Sequence, residues 1–310
     1  MNIDFVIAVF ITVVGASTPI LFAGLGELVT EKSGVLNLGV EGMMLVGAIA
    51  GFATVDLTGN PWLAVLVAAA AGAAVSMIFA VLTLTLSANQ VATGLALTIF
   101  GTGLSTLVGQ GFTGHGIPIF GSIFPPALAE DHFGRVLFGH SPLVYFSFIM
   151  VILVTWFLRS TRPGLILRAV GENDHSAHSI GYSVIAVRYA AVAFGGAMAG
   201  IGGAYFPLVL TPQWSEGITS GRGWIAIALV VFSGWRPVWL LVGAYFFGLL
   251  GTFELYAKAS GASWTNVLPS EGWAALPYLA TVIVLAAISV SKSAGGNAPA
   301  SLGKPFIPSA

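Results

Sequence analysis

Apolar runs of about 20 residues, the length a helix needs to cross a ~30 Å hydrocarbon core, recur in this chain near 4–25, 35–55, 61–86, 91–110, 142–159, 184–209, 237–257 and 273–291. They leave little room for any other architecture. The expected fold is all-α: a polytopic helical membrane protein of about 8–10 transmembrane helices, with a broken or re-entrant segment. A shorter run, Trp224–Ser233, reads as a half-helix or a tilted ninth element. Only 7% of the residues are charged, against about 25% in soluble domains. Asp4 stands where a signal peptide needs a basic start, and no small-residue cleavage site follows, so the first run is expected to be a retained span. The net charge of -1 argues against a nucleic-acid partner, and the absence of cysteine excludes disulfides, thiolate metal sites and thiol catalysis.

The linkers are too short for a folded extramembrane domain. The longest, Gln110–Ser141, carries Pro118, Pro125, Pro126, His115, His132 and His140. Residues 1–292 therefore read as one transmembrane domain, with a loop at about 160–184 and a disordered cytoplasmic tail at 293–310. Arg159, Arg162, Arg168 and Arg188 flank that loop, and Lys292 and Lys304 lie in the tail, whereas Gln110–Ser141 holds only Arg135. Positive charge collects on the cytoplasmic side, which places the 160–184 loop and the C-terminus in the cytoplasm. Counting back puts the N-terminus outside. Small residues recur at helical spacing, as in Gly196, Gly200 and Ala204, where they let backbones approach.

Against this apolar background, Gly26–Gly42 carries Glu27, Glu31, Lys32, Asn37 and Glu41. Polar groups at membrane depth are kept where they face a bundle interior, a water-filled path or one another. Asn37 and Glu41, four apart, are expected on one helix face pointing into the bundle. Thr211–Gly223 is a second Gly-rich polar interruption in the other half, with Gln213, Trp214, Glu216 and Arg222, followed by Trp224. Paired interruptions of this kind point to a substrate path built from discontinuous helices. The two Trp residues read either as interfacial anchors or as part of an aromatic vestibule. Ser87–Gly94 groups Asn89, Gln90 and Thr93, neutral side chains that tie helices together or line a path for a polar uncharged solute.

The loop from Arg162 to Tyr182 reads as a short helix punctuated at both ends. Asn173 or Asp174 caps its start and Gly181 ends it in the left-handed conformation. Ala177, Ile180 and Val184 are expected on one face. A helix this short is marginal alone, so it reads as a docking helix for a cytoplasmic partner or as a plain interfacial connector. His175 and His178 lack the further ligands a closed metal site needs, and no metal or other cofactor is expected. Catalytic signatures are missing: there is no His-Glu-x-x-His and no Gly-x-Ser-x-Gly. Gly303-Lys304 is followed by Pro305, and Ala298 stands where a phosphate loop has its first glycine, so no ATP site is expected in this chain.

Four stretches carry a family resemblance: Gly26-Glu-Leu-Val-Thr-Glu-Lys-Ser-Gly-Val-Leu-Asn-Leu-Gly-Val-Glu-Gly-Met-Met, Asn89-Gln-Val-Ala-Thr-Gly-Leu-Ala-Leu-Thr, Gly171-Glu-Asn, and Gly221-Arg-Gly-Trp-Ile-Ala-Ile-Ala-Leu-Val-Val-Phe. In this order, over about residues 15–290, the chain resembles the permease subunits of bacterial ABC importers of the ribose and branched-chain amino acid type. Within that group it is most similar to nucleoside permeases. The resemblance implies a non-enzymatic transport subunit in the bacterial cytoplasmic membrane. Its implied partners are cytoplasmic ATPase subunits, a second and different permease chain, and an extracytoplasmic substrate-binding protein. It also implies that Arg168, Gly171, Glu172, Asn173, Ala177, Ile180 and Gly181 form the coupling loop that touches the ATPase. Asp174-His175 departs from the small or Pro residue expected after Glu-Asn. The expected solute is a nucleoside, with a simple sugar or branched-chain amino acid as the alternative. The candidate path is Asn37, Glu41, Asn89, Gln90, Thr93, Gln213, Trp214, Arg222 and Trp224. The rival reading is an ion-coupled secondary transporter with Glu41 as its ion site.

Overall fold

The computed structural model of this chain describes residues 3–129, 131–259, 272–273, 275–276, 279–283, 286 and 298–307. Its helices are α1 (Ile3–Lys32), α2 (Val40–Thr58), α3 (Pro61–Ala80), α4 (Gln90–Gly109), α5 (His132–Phe138), α6 (Pro142–Ser160), α7 (Arg162–Glu172), α8 (Asp174–Ser179), α9 (Val184–Tyr205), α10 (Arg222–Phe232) and α11 (Pro237–Ala259). Wider π-type turns, Val81–Thr85 and Phe206–Leu210, prolong α3 and α9. Among the described residues, α1, α2, α4, α6 and the prolonged α3 and α9 are long and apolar enough to cross a membrane, while α10 and the apolar part of α11 are shorter. The protein is thus a polytopic helical membrane protein. The run expected at 273–291 lies for the most part outside the described residues.

One boundary moves in a way that matters. The first run is expected to end near residue 25, but α1 continues to Lys32. Glu27 and Glu31 are therefore buried helical residues and not loop residues. No Gly or Pro signal stops the helix until Gly34, which has φ +91.

α9 runs through the centre of the bundle against α1, α2 and α3. Its small-residue stripe is what permits this. A Cβ on Gly200 would lie 2.2 Å from the carbonyl oxygen of Ala68 on α3, and one on Gly47 of α2 would lie 2.4 Å from Gly200 Cα. Lipid tails are as apolar as leucine, so such close backbone packing is a main source of helix association in membranes. α11 lies antiparallel to α1: Leu240 packs on Gly24, Gly248 on Ser17, and the Tyr256 hydroxyl donates to the Ala8 carbonyl at 2.9 Å.

The two ends of the bundle differ. At one end, His132 Nδ1 lies 3.2 Å from Asp4 and His115 Nδ1 lies 3.1 Å from Asp56. Gly116 there pairs with Gln213 as a single antiparallel bridge. At the other end, Lys32, α7, α8 and the start of α9 meet residues 298–307. The N-terminal end of α1 is therefore opposite the α7–α8 loop. The expectation of a disordered tail needs correction for 298–307: Ser301 and Phe306 are buried, because backbone bonds and an apolar pocket hold the segment in place.

Candidate functional site

The two polar interruptions meet inside the bundle. α10 begins at Arg222, and its N-cap residue Gly221, at φ 77, has no side chain with which to cap it. Its first N–H groups have no partners within the helix. Glu41 supplies them from α2: Oε1 accepts from Gly221 N at 2.9 Å and from Thr219 Oγ1 at 2.6 Å, and Oε2 accepts from Gly223 N at 2.6 Å. Glu41 itself sits in the first turn of α2, which also lacks a side-chain cap. One carboxylate thus lies at the positive ends of two helices, where helix dipoles favour an anion. Gly223 packs so closely here that a Cβ would fall 2.7 Å from Glu41 Cα.

Asn37 does not share a helix face with Glu41. It lies in the turn between α1 and α2, because Gly34 and the bend that follows end α1 before it. Its backbone N donates to Glu27 Oε1 at 3.0 Å, and its Oδ1 accepts from Gly39 N at 2.9 Å. Gln90 Oε1 accepts from Leu36 N at 2.8 Å, and Thr98 Oγ1 donates to the Leu38 carbonyl at 3.0 Å. The turn is therefore held from both sides by α1 and α4. α4 passes it closely: Gly94 lies on Leu38 and Gly101 on Gly42.

The other candidate path residues divide by what they touch. Asn89 is exposed and accepts from Ala92 N at 3.0 Å as the cap of α4. Thr93 is half-buried on the same helix. Gln213 is exposed at the far end of the bundle, and Trp214 is buried there against Gly109. Arg222 stacks 5.0 Å from the Phe206 ring centroid and donates to the Thr219 carbonyl at 3.3 Å. Trp224 packs against the core on α10. Glu41, Arg222 and Trp224 are brought together around the α10 start, whereas Asn89 and Gln213 lie towards opposite ends.

At the end that carries α7 and α8, the short helix is punctuated as expected: Asn173 Oδ1 accepts from Ser176 N at 2.9 Å, and Gly181 has φ +93. A second, amphipathic helix precedes it, capped by Thr161, whose Oγ1 accepts from Gly164 N at 3.1 Å. The expected common face of Ala177, Ile180 and Val184 is split. Ala177 and Val184 are buried with Val170 and Phe306, while Ile180, beyond the last helical residue, is 71% exposed. Gly171 is also interior, pressed on the end of α1 with a Cβ position 2.2 Å from the Lys32 carbonyl. Glu172, Asn173, Ile180 and Gly181 are the exposed members of the set, and Arg168 is half-buried. A recess of about 270 Å³ opens beside them, lined by His178, Tyr182, Ile185 and Phe306 among others. His175 and His178 pack against the Phe306 ring, each with centroids 5.4 Å away.

Several residues here escape a reading of the sequence. Asp174 is buried and pairs with Arg188 at 3.0 Å, which accounts for an acid where a small residue is expected. Trp235 Nε1 donates to Glu31 Oε2 at 2.6 Å. Glu27 Oε2 and Glu31 Oε1 have no hydrogen-bond partner among the described residues. Arg188 does carry a signal of its own, a full charge inside an apolar run, beyond its use as a marker of the cytoplasmic side.

Comparison with known proteins gives a consistent picture. Residues 9–290 match the family described as branched-chain amino acid transport system / permease component. The chain is 41% identical over 297 residues to a putative glucose ABC transporter permease protein of Haloferax volcanii, covering 88% of each chain. It is 31% identical over 290 residues to a nucleoside ABC transporter permease protein of Lactococcus lactis, covering 87% of this chain and 88% of the other. A guanosine ABC transporter permease protein of Bacillus subtilis is 29% identical over 307 residues, with 94% and 93% covered.

Proposed function

This chain belongs to the family of branched-chain amino acid transport system permease components, and on that premise we propose that it is the membrane subunit of an ATP-driven importer for a neutral, polyhydroxylated solute, a nucleoside or a simple sugar. ATP is hydrolysed by cytoplasmic partner subunits that dock on α7 and α8. A second permease chain and an extracytoplasmic binding protein complete the complex, and the α7–α8 end with the C-terminus faces the cytoplasm. The observation that carries this reading is the α7–α8 loop: a capped helix whose terminal Ile180 is 71% exposed at a charged end of the bundle. An exposed apolar side chain on an ordered loop is the kind of anchor that partner grooves take.

The solute class is supported by both sugar and nucleoside permeases among the relatives. The two share a ring of neutral hydroxyls, which polar uncharged side chains recognise. Three of the buried ionisable side chains bond within the bundle: Glu41 with α10, Glu31 through one oxygen with Trp235, and Arg188 with Asp174. Affinity purification of the chain from its native membrane should bring down an ATPase, and uptake of labelled guanosine and labelled glucose by the reconstituted complex should require ATP. Uptake by this chain alone on a proton or sodium gradient would refute the assignment.

A further inference from the structure

Arg188 of α9 is 1% exposed, the largest side chain so fully enclosed among the described residues, and it bonds three other segments. Its Nη2 donates to Asp174 Oδ2 of α8 at 3.0 Å and to Ser301 Oγ at 3.3 Å. Nε donates to the Ser33 carbonyl at 3.1 Å, and Nη1 to the Lys304 carbonyl at 3.4 Å. Residues 298–307 close over this junction as a strap. Ser301 N donates to the Gly171 carbonyl at 2.9 Å, Gly303 N donates to the Gly34 carbonyl at 3.0 Å, and Phe306 fills the pocket between α7, α8 and α9. Gly34 has to be glycine: besides its φ of +91, a Cβ there would lie 2.6 Å from Ser301 Oγ and 2.8 Å from Arg188 Nη2.

The segment held on the far side of this junction is the turn that leads into α2. Beyond Ser33 and Gly34 the chain runs through Asn37, tied to Glu27, and Gly39 to Glu41, which grips the start of α10. We propose that Arg188 and the 298–307 strap form the transmission joint of the transporter, passing displacement of α8 through Ser33 and Gly34 to the Glu41–α10 junction. Arg188 is a positioning residue in this scheme, since it touches neither partner nor solute. The inference rests on α7 and α8 being the docking surface. A planar guanidinium fork suits such a joint, because it bonds a carboxylate, a hydroxyl and two carbonyls at once, which a lysine ammonium cannot reach together.

The chain contains no cysteine, which allows a single reporter. Ser220→Cys, an exposed residue two before α10, is labelled with a nitroxide on the purified chain before the complex with its ATPases is reconstituted in vesicles, and the ATP-dependent change in label mobility is compared with the rate of ATP hydrolysis. R188K and S301A are expected to hydrolyse ATP within about twofold of the parent while the ATP-dependent change falls roughly tenfold, within the range of known allosteric couplings. S301A spares the Arg188–Asp174 pair and keeps the proposal falsifiable should R188K fail to insert. A parental label response in an inserted variant overturns the proposal. So does a parallel loss of hydrolysis and response, which would make Arg188 a support of the docking surface. The docking reading fails separately, if I180D chains still retain their ATPases.

Discussion

Two buried charges hold this bundle together by opposite means. Glu41 is satisfied by a hydroxyl and two backbone N–H groups at one helix start, whereas Arg188 is satisfied by a carboxylate, a hydroxyl and carbonyls from segments far apart in sequence. The first junction is fixed by backbone geometry, so it shifts only when a helix end shifts. The second joins α8, the end of α1 and residues 298–307 through one guanidinium, so a shift of any of them acts on the others through that side chain.

Substitutions at the two junctions can break this contrast, and the expected effects fall in a definite order. Arg188→Met should be the most destabilising, because it leaves Asp174 buried without its cation, a loss of about 3–5 kcal/mol. Thermal unfolding of the detergent-solubilised chain measures it; a change no larger than that of Glu41→Ala would remove the distinction between the junctions. Glu41→Ala takes away the cap of α10 and should cost about 1–2 kcal/mol, as caps do. Hydrogen exchange should then rise at the first turn of α10 and not in α7 or α8. Glu41→Gln keeps one acceptor and loses the charge facing the helix dipole, worth about 0.3–2 kcal/mol, so uptake should fall while assembly with the ATPase persists. Uptake at the parental rate would reduce Glu41 to a structural cap.

Smaller effects sharpen the comparison. Trp235→Phe removes one hydrogen bond to Glu31, about 0.5–1.5 kcal/mol, and should lower the unfolding temperature without altering hydrolysis. Ile180→Asp should change stability least, within about 0.5 kcal/mol as at other exposed sites, yet abolish co-purification of the ATPase. A mutation nearly silent in unfolding and severe in assembly would mark the α7–α8 end as the docking end.

The spans are legible because a membrane imposes its thickness on helix length, and α10 is recognisable as a half-helix for the same reason. Asn173 and Gly181 are legible as punctuation because caps are local chemistry. The errors arise where contacts are long-range. Periodicity places Asn37 and Glu41 on one helix, since four-residue spacing does not reveal that a glycine turn intervenes. It places Ile180 with Ala177 and Val184, since it cannot see a helix end one residue early. The Glu41–Gly223 and Arg188–Ser301 contacts join residues far apart in the chain, and nothing local encodes them. A tail of small residues and prolines reads as disordered until the carbonyls it meets are known.

The cap of α10 comes from a residue 180 positions earlier, and this constrains how the protein is made. With 11 residues at 1.5 Å each, α10 is about 16 Å long, too short to be released into lipid as an autonomous span. While it leaves the ribosome its first amides have no acceptor except water, and the bilayer interior provides none. α2 precedes α10 in the chain, so Glu41 is already made when α10 emerges, and α10 enters the bundle by docking on it and not by partitioning into lipid alone. In the making of this chain an early helix supplies the berth and a late one completes the fold.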